Sequence, residues 1–179
     1  MRKFILLLSL LPLKVLCQSD SLPKNAEGKY EFANVINVDS ASSDKLYSNA
    51  KIFVALTFKS GKAVTQLNDD NTKTVVGNGI TSVKLKISIV SPVYTDVAYS
   101  FTIQCKDNRY RYSITDFFFY NTGDGSSRKA LEDNSYFDKN KISRRFFKSI
   151  SEQINADMKD LISRLLNYMS SNTLATKSW

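Results

Sequence analysis

Three basic residues, Lys106, Arg109 and Arg111, stand among aromatic residues in the stretch IQCKDNRYRYSITDFFFY at residues 103–120. Cations that neutralise phosphates, beside aromatic rings that stack on bases, are what a nucleic-acid-binding surface needs. The same alternation is typical of a β-hairpin, because the pleat sends successive side chains to opposite faces of the sheet. The two interpretations differ in the tyrosines, which are exposed in the first and buried in the second.

Catalytic chemistry has few residues to work with, because the chain contains no His. His is the usual general base near neutral pH and the commonest metal ligand, so a Ser-His-Asp or Cys-His catalyst is excluded. Asp69, Asp70 and Asp124 are the compact acidic candidates for a metal, but they lack the spacing of a calcium loop and stand beside turn-forming Asn and Gly. No glycine-rich phosphate loop or paired-cysteine zinc site is present in the sequence either. We therefore expect no enzyme activity, no metal site and no cofactor.

The N-terminus predicts export from the cytoplasm. Positive charge at residues 1–3 precedes an apolar run at residues 4–13, which is the pattern of a signal peptide and too short to span a bilayer. We expect residues 1–17 to be removed by cleavage after Cys17, followed by a linker at residues 18–27. The mature chain would then be periplasmic or secreted, with no transmembrane segment.

Cleavage after Leu16, with lipid modification of Cys17, is the alternative. A lipobox has a small residue just before its cysteine and a Leu or similar residue three positions before it. Leu16 and Lys14 occupy those positions here, so the lipoprotein is the weaker prediction.

Charge and compartment together argue against nucleic acid as a partner. The full chain carries a net charge of +8, and loss of the three basic residues of the signal peptide lowers it to about +5. Electrostatic binding to DNA needs a denser positive surface, and an exported protein does not meet the usual nucleic acids.

After cleavage Cys105 is the one remaining cysteine, so the fold must rest on its core without an internal disulfide.

Hydrophobic periodicity predicts one domain at residues 28–170 and a tail at residues 171–179 that ends in Trp179. The predicted elements are a strand at 30–38, a helix from Leu46, strands at 63–67 and 72–76, a bulge or bend at 77–79, a strand at 83–89, the hairpin at 101–114, a polar surface connection at 121–141, and a helix whose apolar stripe is Phe147, Ile150, Ile154, Met158, Leu161, Leu165 and Met169. This order predicts an α+β fold, a twisted antiparallel sheet with both helices packed on one face.

A two-residue turn at Asp107-Asn108 sets the register of the hairpin, because both residues tolerate the positive φ of a tight primed turn. The predicted pairs are Cys105–Tyr110, Ile103–Tyr112 and Phe101–Ile114 on one face, and Lys106–Arg109, Gln104–Arg111 and Thr102–Ser113 on the other. Burying a large side chain is worth about 1.5 to 3 kcal/mol, whereas an exposed charge contact is worth about 1 kcal/mol or less. The aromatic residues therefore decide the register, and the tyrosines are predicted to lie in the core.

The stretches KYEFANVINVDSASSDKLYSNAKIF, VVGNGI and FTIQCKDNRYRYSITDF resemble a secreted bacterial family of unknown function, numbered four-four-six-eight in the domain-of-unknown-function series. The shared features are a helix starting near Leu46-Tyr47, a glycine-rich bend at residues 77–79, a turn at residues 106–108 and an Arg-Tyr-Arg-Tyr strand at residues 109–112. The resemblance covers residues 28–118. It implies a TATA-binding-protein-like fold and an exported protein, but no known activity or catalytic residues, and likeness of fold to a DNA-binding protein does not imply DNA binding.

The candidate binding surface is the helix-free face of the sheet. Its predicted members are Lys84, Lys86, Lys106, Arg109 and Arg111. We predict a non-enzymatic binding module of the cell envelope that uses this face for an anionic partner, such as a polysaccharide, a lipid headgroup or an acidic protein. A solvated sheet face without function is the simpler interpretation of the same residues.

A carrier of small hydrophobic ligands is the alternative function. Its pocket would lie between the sheet and the C-terminal helix, lined by Phe117, Phe119, Phe147 and Ile150. The aromatic run of residues 117–119 and the apolar stripe of the helix are the features that favour it.

Overall fold

Six strands and two helices build the described part of the protein, which in this computed structural model comprises residues 22–58, 64–85, 93–120, 128–133 and 137–170. In chain order the elements are β1 (Phe32–Asn37), α1 (Ser43–Thr57), β2 (Val64–Asp69), β3 (Thr74–Leu85), β4 (Val93–Lys106), β5 (Arg109–Tyr120), β6 (Arg128–Ala130) and α2 (Lys141–Ser170). The predictions for the signal peptide, Cys17, Lys86 and Trp179 lie outside the described residues. Among the described helices, none is long and apolar enough to cross a bilayer.

The strands form one antiparallel sheet in the order β1-β5-β4-β3-β2, and β6 pairs with the C-terminal end of β5 beside β1. Both helices pack on the same face, α1 against β3, β4 and β5, and α2 against β3 and α1. The α+β class and the arrangement of helices on one face are therefore as predicted. The other face, which we call the outer face, carries the residues whose side chains alternate away from the helices.

Helix α1 begins at Ser43, ahead of the predicted start at Leu46, and packs as its sequence predicts. The Ser42 hydroxyl caps it by accepting a hydrogen bond from the Lys45 N–H at 3.3 Å, as Ser side chains do at helix starts. The side chains that reach the core are Leu46, Tyr47, Ala50, Phe53 and Val54. They recur at three- and four-residue steps, so they form one buried face.

Strand β3 differs from the prediction, because Thr74–Leu85 is one strand rather than two strands separated by a bend at residues 77–79. Its register with β4 runs from Thr74 to Leu85 without interruption. The irregularity in this part of the sheet lies in the pairing of β2 with β3 instead.

The two glycines of β3 are explained by aromatic rings on β4. Gly77 lies opposite Phe101 and Gly79 opposite Tyr99. A Cβ atom at either glycine would collide with the ring of its partner. The glycines therefore leave space for the two rings of β4, which lie over β3 at these positions. No bend in β3 is needed to explain them.

Strand β5 contains a β-bulge that the sequence did not predict. Ser100 pairs with Thr115 while Ala98 pairs with Phe118, so Asp116 and Phe117 together face Tyr99. Asp116 has a φ of 54°, which is the left-handed conformation that such an extra residue adopts. Before the bulge the even-numbered residues of β5 face the helices, and after it the odd-numbered residues do. Phe117 and Phe119 are therefore both fully buried.

The segment at residues 121–141 is not only a surface connection, which corrects the prediction. Arg128–Ala130 pairs with β5 as β6, and Leu131 and Phe137 are buried in the core. Helix α2 begins at Lys141, ahead of Phe147, with Asn140 accepting a hydrogen bond from the Ser143 N–H at 2.9 Å. Apolar residues are sparse in this stretch, so periodicity alone could not reveal its elements.

Helix α2 covers the sheet with the stripe predicted for it. The buried members are Ile150, Ile154, Met158, Leu161, Leu165 and Met169, and Phe147 packs against the core while remaining partly exposed.

Part of the predicted linker also packs on the domain, since Leu22 is buried and the Pro23 carbonyl accepts a hydrogen bond from the Glu31 N–H at 3.0 Å.

Candidate functional site

The β4–β5 hairpin has the predicted register. Lys106 pairs with Arg109, Gln104 with Arg111 and Thr102 with Ser113, and the three predicted core pairs are also present. The turn differs in one respect: Asn108 has a φ of 61°, whereas Asp107 is not among the residues of positive φ. A primed turn with both central residues at positive φ is therefore wrong, because only the second central residue has positive φ.

The aromatic residues of the hairpin belong to the core. Tyr110 and Tyr112 are 1% and 7% exposed, while Lys106, Arg109 and Arg111 are all exposed. The tyrosine rings therefore cannot stack on bases, and they do not supply the aromatic part of a nucleic-acid-binding surface. Burial raises the pKa of the Cys105 thiol to about 12, so this cysteine stays protonated and unreactive near neutral pH.

The hairpin turn is fixed to the start of helix α1. The Asp107 carboxylate accepts a hydrogen bond from the Ser43 N–H at 2.7 Å, and the Asn108 N–H donates to the Ala41 carbonyl at 2.8 Å. The Val38 N–H in turn donates to the Asn108 carbonyl at 2.9 Å. The hydrogen bond from Ser43 holds the pKa of Asp107 below its ordinary value, so this carboxylate remains charged near neutral pH.

A groove of about 430 Å³ lies on the outer face beside this turn. Its polar lining comes from Lys106, Arg109, Arg111, Gln104, Thr72 and Thr74. Strand β1 adds Val35, whose side chain is 53% exposed next to Arg111. We call this feature the outer groove; cations, hydroxyls and an amide surround it, with an apolar side chain at one edge.

The charges of the outer groove are unbalanced. Lys106 and Arg109 are direct cross-strand partners of like charge, and among the described residues neither forms a salt bridge. Arg111 lies 3.7 Å from Glu31, whose carboxylate also accepts a hydrogen bond from Ser113 at 2.7 Å. Like charges directly opposite each other destabilise a sheet, so this pair does not stabilise the hairpin.

Asp69, another acidic residue near the groove, is occupied by the β2–β3 turn. Its carboxylate accepts hydrogen bonds from the Asn71 N–H at 2.9 Å and from the Thr72 hydroxyl at 2.8 Å. The bond from the Thr72 hydroxyl, followed by those from the turn amides, lowers the pKa of Asp69. The carboxylate thus orders the turn that carries Thr72.

Lys84 is not close to the other predicted members of the binding surface. It pairs with Tyr94 on β4, whereas Thr74 pairs with Gln104, a separation of roughly 33 Å along the strand. Lys84 lines a second groove, between β3 and α2. Since Lys86 lies outside the described residues, the structure brings together three of the five predicted residues.

The residues predicted to line a carrier pocket all belong to the hydrophobic core or pack against it. Phe117, Phe119 and Ile150 are fully buried. The ring of Phe137 lies between two of the predicted residues, 5.1 Å from Phe119 and 4.9 Å from Phe147. The Phe137 side chain therefore fills the space between Phe119 of the sheet and Phe147 of the helix.

Sequence reasoning missed Thr72, Thr74 and Val35 as members of the outer groove. Val35 could have been found from the sequence, because it alternates with the buried residues of β1 and so lies on the opposite face of the strand. Thr74 reaches the groove through its pairing with Gln104, and no short-range pattern specifies that pairing, since the two residues stand far apart in the chain, at the outer ends of the paired strands.

Comparison with known proteins places this geometry in a family. The family model described as "Domain of unknown function (DUF4468) with TBP-like fold" matches residues 32–120. That part of the chain is a DUF4468 domain. It runs from the start of β1 to the end of β5 and contains the outer groove, while β6 and α2 follow it.

Two solved structures resemble the DUF4468 domain and the elements after it. A DUF4468 family protein from Bacteroides ovatus ATCC 8483 is 16% identical, with a TM-score of 0.69 over 88% of this chain and 94% of that one. A TBP-like protein from Parabacteroides distasonis ATCC 8503 is 18% identical, with a TM-score of 0.57 over 83% of this chain and 98% of that one. No curated protein matches. At these identities the likeness shows the fold alone, and function must be argued from the site.

Proposed function

We propose that the protein is an exported, non-enzymatic binding module of the cell envelope that holds an anionic partner in the outer groove. The observation that carries this proposal is the cross-strand pair of Lys106 and Arg109, two exposed cations held opposite each other at the groove. An anion bound between them would remove their repulsion. Residues that oppose local stability in this way are expected at functional sites.

The form of the outer groove supports an acidic polysaccharide as the partner. Its volume of about 430 Å³ falls in the range of small-ligand sites, about 300 to 1,000 Å³. Arg109 and Arg111 can each bind a carboxylate or sulfate through two N–H groups, and the exposed amide of Gln104 offers a partner for sugar hydroxyls. The groove is open on the sheet face, so a long chain could pass through it.

The attachment of the hairpin turn to α1 supports binding as well. Asp107 and Asn108 both make hydrogen bonds to the segment that leads into α1. Lys106 and Arg109, which flank the turn, are thereby held in place before any ligand arrives. A site that is ordered in advance loses less entropy on binding.

The test is titration of the mature chain from Gln18 with galacturonate oligomers, followed by calorimetry at low and high salt. We expect binding that weakens as salt rises, and a loss of about tenfold or more in the variant Lys106→Glu/Arg109→Glu. Neutral glucose oligomers of the same length should not bind.

Lys159 provides a control, because it is an exposed lysine on α2 outside the groove. The variant Lys159→Glu should bind the oligomers as the wild type does. The proposal is wrong if the wild type prefers neutral oligomers, or if the groove variant, with an unchanged circular dichroism spectrum, binds as tightly as the wild type.

A further inference from the structure

The first two turns of α2 carry a second basic surface, separate from the outer groove. Lys141, Arg144, Arg145 and Lys148 are all exposed. Their spacing of three, four and seven residues places them on one side of the helix, within an arc of roughly 100°. We call these four residues the basic arc. The opposite side of the same turns contains Phe146, which packs against the core.

The basic arc has little charge compensation. Within the described part of the chain, Lys141, Arg144 and Arg145 form no salt bridge, and Lys148 lies 3.8 Å from Glu152 with 75% of its side chain exposed. The first turn of α2 contains no acidic residue. The helix dipole is positive at this end and disfavours cations there, so helix stability does not account for the arc.

An exposed apolar residue borders the arc. Ile142 is 68% exposed, the highest exposure among the large hydrophobic residues in the described part of the chain. On the helix it lies next to Arg145. Apolar contact and electrostatic attraction to anionic lipids both contribute to binding at a membrane surface, and Ile142 and the arc offer one of each.

The position of the arc in the fold agrees with this. The ring of Phe147 lies 6.3 Å from that of Tyr30, which forms a bridge with Lys24 near the start of the described chain. The N-terminal segment therefore joins the domain at the same end as the arc. The outer groove contains Arg109, the first residue of β5. The last residue of β5, Tyr120, lies near the arc, roughly 36 Å from Arg109 along the strand.

We propose that the basic arc, together with Ile142, docks on the headgroups of an anionic lipid bilayer. Helix α2 would lie with its axis along the surface, the four cations against lipid phosphates and Ile142 among the upper acyl carbons. Charge complementarity selects this partner, because a bilayer offers many anions in one plane and an apolar layer just below them. The outer groove would then point away from the membrane.

The test is sedimentation of the mature chain from Gln18 with vesicles of phosphatidylcholine, with and without about one third phosphatidylglycerol. We expect binding to the anionic vesicles alone and release by high salt. In the variant Arg144→Glu/Arg145→Glu, partitioning should fall by about 25-fold or more, because each cation near an anionic surface contributes about fivefold. Ile142→Ser should cause a smaller loss at low salt, because it removes apolar contact and leaves all four cations in place.

Two further variants separate the arc from net charge and from folding. Arg144→Lys/Arg145→Lys should bind as the wild type does, and Arg144→Ala/Arg145→Ala, which favours the helix, should still lose binding. The variant Lys106→Glu/Arg109→Glu changes the net charge as much as the first variant does and should bind vesicles normally. Equal binding to neutral vesicles, equal loss in the groove variant, or full binding by the alanine variant would each overturn the proposal. Failure of the galacturonate experiment would leave these outcomes unchanged.

Discussion

Single residues at the β4–β5 turn separate charge from packing. Lys106 and Arg109 face each other on the outer face, while Cys105 and Tyr110 face each other in the core. The two pairs are neighbours along both strands, since Cys105 precedes Lys106 in β4 and Tyr110 follows Arg109 in β5. A substitution on the outer face can therefore change the electrostatics of the groove without disturbing the core, and the tyrosines are unsuitable for testing function.

The substitution Lys106→Glu tests whether the like-charge pair is maintained for binding. It turns a repulsive cross-strand pair into an attractive one, so the free energy of unfolding should rise by about 0.2 to 1 kcal/mol. Affinity for galacturonate oligomers should fall at the same time. Urea unfolding and calorimetry on the same preparation measure the two effects.

Lys106→Gln is the matched control for that substitution. It removes the repulsion without adding a carboxylate, so its stability should lie between those of the wild type and Lys106→Glu. A drop in stability in Lys106→Glu would show that the pair is not repulsive in the folded protein.

Among the elements, β5 depends most on one irregular residue. Asp116 is the extra residue of the bulge, and it keeps Phe117 and Phe119 on the helix-covered face. Deleting Asp116 would shift the following residues by one position, and a shift by one residue exchanges the two faces of a strand. We expect the deletion variant to fail to fold cooperatively, as measured by near-ultraviolet circular dichroism and thermal unfolding.

Substitutions at the same position should have small effects. Asp116→Gly suits a φ of 54° and should keep or raise stability, whereas Asp116→Val should lower it by about 1 to 2 kcal/mol, because a β-branched residue is strained there. If the deletion variant is as stable as Asp116→Gly, the bulge does not determine which residues of β5 are buried.

The elements also show what the sequence can and cannot predict. The hairpin register followed from the sequence, because a two-residue turn and alternating aromatics specify it locally. The bulge at Asp116 and strand β6 did not, since the first depends on a left-handed residue other than glycine and the second is three residues long. The outer groove was predicted in its hairpin half, but its β3 half depends on pairing between distant segments.

At the scale of the whole molecule, the two proposed surfaces lie at opposite ends of β5. The outer groove uses residues at its beginning, and the basic arc lies near Phe119, Phe137 and Phe147 at its end. No described residue belongs to both surfaces. Sites this far apart with no shared partner act independently.

Independence predicts that the protein can hold both partners at once. Labelled galacturonate oligomers should sediment with phosphatidylglycerol vesicles when the wild-type protein is present, and their affinity should change by less than about twofold when vesicles are added. The Arg144→Glu/Arg145→Glu variant should leave the oligomers bound to protein in the supernatant. Release of oligomers by vesicles would show that the two ligands compete for one surface.

The bond between Asp107 and Ser43 joins segments that are 64 residues apart in the chain. The first turn of α1 is therefore completed only when the β4–β5 hairpin is in place, and the hairpin turn is held only when α1 has formed. Two elements linked in this way open and close as one cooperative unit. A ligand that steadies the hairpin turn from the outer face would thereby slow the amide hydrogen exchange of α1 on the opposite side of the sheet.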